Sequence, residues 1–186
     1  GKSRGVKVTC EVCPHHFTLT DELLAAPIPY DTNAKMNPPL REDLDREAVR
    51  QGLKDGTIDC IATDHAPHHY DAKMREFDDA PNGIIGLESA LPLAITELVE
   101  TGLLTWPQLI DRMSTTPARL WKLPGGTLHT NAPADVIVID PAVQWHYDPA
   151  ESFSKSRNTP FGGTAMVTLM AGFAIVLSID LHRNQT

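Results

Sequence analysis

The sequence has no apolar run of the length, about 20 residues, that a membrane-spanning helix needs. Its longest apolar-looking stretch, Ile84 to Val99, is broken by Glu88, Pro92 and Glu97. The basic start, Gly1 to Lys7, has no apolar core behind it, so no signal peptide is read there and a cytoplasmic location is expected, without a membrane partner. Excess positive charge is missing too. The formal net charge is -8, and binding nucleic acid takes a concentrated basic patch, so nucleic acid is not expected as a partner. Cysteine is scarce: Cys10, Cys13 and Cys60 make an odd set of three, which does not suit a disulfide framework. Cys10 and Cys13 have C-x-x-C spacing, but strand positions three apart point to opposite faces, so the two thiols are not expected to converge. Internal repeats and low-complexity segments are absent as well.

What is present is the composition of a globular chain: 186 residues, 41% hydrophobic and 22% charged, enough for one ordinary domain with a core. A β-branched strand is expected from Val6 to Val12, then a short helix capped by Thr20 or Asp21 and running through Ala26. Pro27, Pro29, Asn33, Asn37, Pro38 and Pro39 enforce irregular backbone. A charged helix from Arg41 to Lys54 stops at Asp55-Gly56, and a buried strand, Ile58 to Thr63, follows. Strand, loop, helix, strand is the order that parallel α/β architecture requires. Further helices are expected over Ile85 to Glu100, Trp106 to Met113 (capped by Thr105, with Pro107 in its first turn) and Pro117 to Leu123. After Pro124-Gly125-Gly126 the pattern changes to a small β module, with a strand at Ala134 to Asp140 and a hairpin over Met166 to Ile179 turning near Ala171-Gly172.

The Ile58 to Thr63 strand delivers Asp64, His65 and His68 at its C-terminal end, where parallel barrels carry catalytic groups. A carboxylate there can bind a metal and move protons; the alternative is a helix-capping aspartate beside a structural histidine. Asn37 stands directly before two prolines that fix the backbone. Its amide both donates and accepts, which suits the alternating N–H and C=O groups of a cyclic imide or ureide.

Val8-Thr9-Cys10-Glu11-Val12-Cys13-Pro14-His15-His16, Asn37-Pro38-Pro39-Leu40-Arg41, Asp55-Gly56-Thr57-Ile58-Asp59, Ala62-Thr63-Asp64-His65-Ala66-Pro67-His68 and Ala80 to Glu88 occur together in one order and spacing, joined near the end by Lys155 and Asn158-Thr159-Pro160-Phe161. In these segments the chain resembles the dihydroorotase family of the amidohydrolase superfamily, in its long-chain bacterial type. The resemblance implies an α/β fold: the C-terminal part of a (β/α)8 TIM barrel over residues 1–123, with part of a flanking small β-sandwich domain over residues 124–186. It implies a cyclic amide hydrolase of pyrimidine biosynthesis that interconverts dihydroorotate and N-carbamoyl-aspartate with the help of two zinc ions. Asp64 matches the metal-binding aspartate that is also the catalytic acid and base. Asn37, His68, Asn82 and Gly83 match substrate-binding positions, His68 through the substrate carboxylate and Gly83 through backbone; Asn82 stands where the family commonly has phenylalanine. His15 and His16 are expected to stay off the metal, and His65 to be a structural hydrogen-bonding residue.

The resemblance also marks a departure. The H-x-H pair, the carboxylate or modified lysine and the two later histidines that would complete the zinc site have no counterpart in these residues. One aspartate cannot hold a catalytic zinc. A fragment of a longer polypeptide, inactive alone, is therefore expected. Its partners would be a small-molecule substrate and the remainder of its own polypeptide, with a second copy or aspartate transcarbamoylase as further candidates. The competing readings are another cyclic amidohydrolase (allantoinase, hydantoinase or dihydropyrimidinase) and a catalytically dead scaffold of aspartate transcarbamoylase. Asp64 to His68 with Asn37-Pro38-Pro39 favours dihydroorotase over both.

Overall fold

A computed structural model describes residues 1–25 and 28–167. The expected parallel crossover is present. Strand β1, Glu11–Val12, runs into the short helix α1, Pro14–Thr18, and helix α2, Asp43–Asp55, leads to strand β2, Cys60–Ile61. β1 and β2 pair in parallel with Glu11 opposite Cys60 and Val12 opposite Ile61. Asp59 N–H to Cys10 O and Ala62 N–H to Val12 O, both 3.0 Å, extend the ladder at either end. A parallel bridge between His65 and Ile84 carries the layer one segment further.

Helix α2 follows from its sequence. Asp43 and Asp45 lie in its first turn and Lys54 in its last, each charge opposing the partial charge of that helix end. Gly56 closes it at φ 83, a left-handed conformation that costs glycine nothing. Leu53, fully buried, joins Val12, Phe17, Ile61, Ile95, Leu98 and Leu109 in the main core cluster. Arg50 fastens the exposed side: its Nε donates to Phe17 O at 2.8 Å, and its Nη2 pairs with Glu97.

The later helices are more continuous than expected. Helix α3 covers Tyr70–Lys73. Helix α4, Leu87–Ala94, passes directly into a wide π turn, Ile95–Val99. Helix α5, Trp106–Ile110, the π turn Asp111–Thr115 and helix α6, Thr116–Trp121, run on without a break, so the two helices expected here are one. Pro117 has no N–H to donate within the helix; the preceding turn widens, with Thr116 N–H reaching back to Asp111 O, and the chain stays helical. Gln108 accepts from the Thr105 N–H at 2.8 Å, as the expected cap requires.

Four expectations need correction. Of the Ile58 to Thr63 strand only Cys60–Ile61 forms a ladder. Of the Val6 to Val12 strand only Glu11–Val12 has a partner, and Val6 and Val8 are exposed. The helix expected after Thr20 is a single 3-10 turn, Asp21–Leu24. Ala134 to Asp140 makes no ladder among the described residues, and Val136, Ile137 and Val138 are exposed, so β propensity there finds no neighbouring strand among those residues to act on. Among the described residues the β module has β3, Gln144–His146, antiparallel to β4, Ala165–Val167. The hairpin turn expected near Ala171-Gly172 lies outside the described residues, as do Ala26 and Pro27. Met166 and Tyr147 of this module share a second core cluster with Met36, Ile84, Leu93 and Phe161.

Candidate active site and its supporting loops

Two aspartates bracket β2 and differ in kind. Asp59, before the strand, accepts from Cys10 N–H at 2.9 Å and pairs with the Lys2 ammonium at 2.7 Å, which holds its carboxyl below the ordinary carboxylate range. Asp64, after the strand, is exposed and has no hydrogen-bond or ion-pair partner among the described residues. Its backbone is left-handed, at φ 49. Strained backbone persists where the surroundings enforce it, and it clusters at functional sites. Asp64 lines a cavity of about 690 Å³ together with Glu11, Cys13, His16, Asn37 and Arg41. The structure thus brings two of the expected site residues, Asp64 and Asn37, to one cavity. A carboxylate just past a strand end, sharing a cavity with an amide and a guanidinium, can ligate a cation and exchange a proton with a polar ligand.

His68, Asn82 and Gly83 form a second group and do not line that cavity. The His68 imidazole Nε2 lies 2.8 Å from Asn82 O, so the ring donates there and keeps the proton on Nε2. Gly83 sits at φ 108, and a Cβ on it would come within 2.5 Å of Ala66 Cβ, so glycine is needed on two counts. Its own polar groups are spent: the N–H donates to Lys35 O at 2.9 Å, and the carbonyl accepts from Lys73 Nζ at 3.0 Å and Asn158 Nδ2 at 3.1 Å. A ligand touching Gly83 therefore meets its Cα face.

The residues that hold this group were not singled out from sequence. Asn158, buried, donates to Ala66 O at 2.9 Å as well as to Gly83 O, and accepts from His68 N–H at 3.2 Å. Lys35 Nζ donates to the carbonyls of Phe77, Asp78 and Ala80 at 2.6 to 2.9 Å. Lys73, also buried, donates to Pro81 O and Gly83 O, both at 3.0 Å. Burial pulls the Lys73 ammonium down to about 8, with Lys35 adding to the effect and Asp31 opposing it. Two ammonium groups thus organise the backbone from Phe77 to Gly83. Asn158 belongs to a segment that the resemblance had marked; nothing in the local pattern flags a buried Lys73. His65 acts as expected, its Nδ1 accepting from Gly86 N–H at 3.1 Å.

A metal-capable cluster lies on the neighbouring strand end. One donor atom each from Cys13, His15 and His16 lie within 4.8 Å of one another. His15 is 2% exposed, its Nε2 is buried without a partner among the described residues, and burial together with His16 lowers its pKa to about 3. The Cys13 thiol is pushed up to about 12, first by burial and then by the negative charges of Asp64 and Glu11. From sequence these histidines are expected to stay off a metal, and Cys10 and Cys13 are not expected to converge. The thiols do part: Cys10 Sγ donates to Thr57 O at 3.2 Å, while Cys13 joins the histidines. Among the described residues no helix is long and apolar enough to cross a membrane.

Residues 8–169 match the amidohydrolase family. The chain is 56% identical over 165 residues to a dihydroorotase of Trichlorobacter lovleyi, covering 89% of this chain and 38% of that protein. It is 58% identical over 165 residues to a dihydroorotase of Geobacter sp., again covering 89% and 38%. The chain spans about two-fifths of the length of these curated relatives. Among solved structures it is similar to the L-hydantoinase (dihydropyrimidinase) of Arthrobacter aurescens, with a TM-score of 0.81 at 28% identity over 89% of this chain and 37% of that one. The D-hydantoinase (dihydropyrimidinase) of Thermus sp. is alike at a TM-score of 0.81 and 29% identity, covering 90% and 39%.

Proposed function

The chain belongs to the amidohydrolase family, and on that premise we propose that it is the C-terminal part of a dihydroorotase, with Asp64 as its catalytic acid and base. The observation that carries this reading is the unpartnered, left-handed Asp64 at the end of β2, sharing a cavity with Asn37. In this reading residues 1–123 form the last portion of a (β/α)8 barrel and residues 124–186 part of a small β domain. The dihydroorotases it resembles are matched at 56% and 58% identity, against 28% and 29% for the hydantoinases, which supports dihydroorotate over other cyclic amides.

Asp64 fits a zinc ligand, because its carboxylate is exposed to the cavity and committed to no other group among the described residues. When bound, zinc lowers the pKa of water and polarises the amide carbonyl, so that hydrolysis runs near neutral pH. Asp64 takes the proton of the attacking water on a carboxylate oxygen and passes it to the departing ring nitrogen. In the synthetic direction the same oxygen carries the proton the other way. Asn37 reads the ring through its amide, donating to a carbonyl and accepting from an N–H. His68, fixed through Nε2 by the Asn82 carbonyl, donates from Nδ1 to the substrate carboxylate when that nitrogen also carries a proton. Asn82 and Gly83 close one face of the ring. Orientation by these groups brings the amide carbon into reach of the water.

The remaining ligands come from the rest of the polypeptide, and the isolated chain is inactive. The test is a substrate panel on the full-length protein: dihydroorotate should be turned over and dihydrouracil and hydantoin should not. Asp64→Asn should lower turnover by at least about 1,000-fold, the loss expected of a missing proton carrier that also ligates metal. His68→Ala should raise KM more than it lowers kcat. Turnover of dihydrouracil at the same rate, or a near-normal Asp64→Asn enzyme, would overturn the reading.

A further inference from the structure

At the edge of the same cavity, where β1 enters α1, we infer that Cys13, His15 and His16 form a thiolate–imidazole site for a divalent borderline cation, zinc foremost. Thiolate sulfur and imidazole nitrogen are the donor set that zinc and cobalt prefer over hard cations such as magnesium or calcium. The three donor atoms already lie within 4.8 Å of one another. Bond lengths of about 2.3 Å to sulfur and 2.0 to 2.1 Å to nitrogen place tetrahedral ligands about 3.3 to 3.6 Å apart, so small side-chain rotations close the cluster.

Three further observations point to a ligand here. His15 is 2% exposed and its Nε2 has no partner among the described residues, a buried polar atom whose desolvation none of them repays. His16 Nε2 lies 2.8 Å from the carbonyl of Pro38, which can only accept. The ring proton is thereby fixed on Nε2, and the neutral ring keeps its lone pair on Nδ1, free for a metal. This is the outer hydrogen bond that orients metal-ligating histidines elsewhere. Finally, the charges of Asp64 and Glu11 act on the cluster, so a cation arriving there meets a negative field. Binding displaces the thiol proton to solvent; a Cys13–metal bond forms and nothing is oxidised.

The experiment is a Co2+ titration of the full-length protein stripped of metal, read through the thiolate-to-cobalt charge-transfer band in the near ultraviolet. The band should appear at one equivalent per site, vanish in Cys13→Ser, and persist in Cys10→Ser and Cys60→Ser. His15→Gln should weaken binding on the order of 100-fold, the upper end of what loss of metal-site support costs. A second measurement needs no variant: alkylation of the unmutated protein, resolved cysteine by cysteine by mass spectrometry. Zinc should slow labelling of Cys13 at least about tenfold and leave Cys10 unchanged. A charge-transfer band that survives Cys13→Ser, or Cys13 labelling indifferent to zinc, would overturn the site. Neither readout involves turnover, so the result stands apart from whether dihydroorotate is the substrate.

Discussion

Asn158 is the residue whose removal should reveal how the substrate loops are held. Its side chain makes three hydrogen bonds from a buried position: to Ala66 O at 2.9 Å, to Gly83 O at 3.1 Å, and from His68 N–H at 3.2 Å. Gly83 O keeps Lys73 after the side chain is truncated, but Ala66 O and His68 N–H lose their partner. A typical bond contributes about 0.5 to 1.5 kcal/mol net, and a buried group left unsatisfied costs about 1 to 3 kcal/mol. Asn158→Ala should therefore destabilise by about 3 kcal/mol, less where water enters the space left behind. Asn158→Leu fills that space and keeps water out, so it should cost at least as much despite its larger apolar area. Urea denaturation measures both; with m near 2 kcal/mol/M the midpoint should fall by about 1.5 M. Amide exchange at His68 and Gly83 should accelerate with it, since these loops open once the anchor is gone. A loss below about 1 kcal/mol in Asn158→Ala, or a Leu variant as stable as wild type, would refute the anchoring role.

Other outcomes follow from neighbouring contacts. The Lys73 pKa is lowered from 10.5 to about 8, so between those values the unfolded chain binds more protons than the folded one. Stability should rise with pH across that window, by up to about 1.4 kcal/mol per unit, and Lys73→Met should lack the rise; parallel urea curves at pH 8 and pH 10 would show the idea wrong. Gly83→Ala meets both the φ of 108 and the 2.5 Å approach to Ala66 Cβ, and should cost at least about 2 kcal/mol. Adding Ala66→Gly should recover the steric part and leave the backbone part, which a double-mutant cycle separates. Arg50→Met severs the bond to Phe17 O and the pair with Glu97, both partly buried, and should lower thermal stability by about 1 to 3 kcal/mol; a change within error would make the pair ornamental.

The fold was legible where local chemistry and packing agree. Asp43, Asp45, Lys54 and Gly56 mark the ends of α2, and Leu53 marks its buried face, so the helix lies within two residues of its expected start and one of its expected end. The apolar run before Asp64 marks where β2 lies, although of the expected Ile58 to Thr63 only Cys60–Ile61 is strand and Asp64 follows three residues later. Strands were less legible, since a strand exists only by its neighbour. Val6 to Val12 has the right residues throughout, yet only Glu11–Val12 faces Cys60–Ile61. Val136 to Val138 has the same β-branched character and lies exposed. Propensity describes a half-buried pleated surface, and the sequence alone does not say which surface will be there.

The site divides along the same line, between what one segment decides and what distant segments decide together. Asp64 is placed by its own strand, and Asn37 by the prolines after it. The positions of His68 and Gly83 depend on Asn158, 90 and 75 residues away in the chain, and no window of pattern contains both ends of such a bond. Lys73 and Lys35 look like ordinary surface lysines in sequence; only the folded loop, with five carbonyls converging on two ammonium groups, makes them structural. Cys13, His15 and His16 illustrate the opposite case. The face rule speaks only for Cys10 and Cys13, whose thiols do part, and it does not reach the histidines beyond Pro14. The chain leaves the strand at Val12 and turns helical at Pro14, which changes the side-chain period from two toward 3.6 within a single residue. A rule about faces holds only while the element lasts, and the chemistry of this edge begins where the element changes.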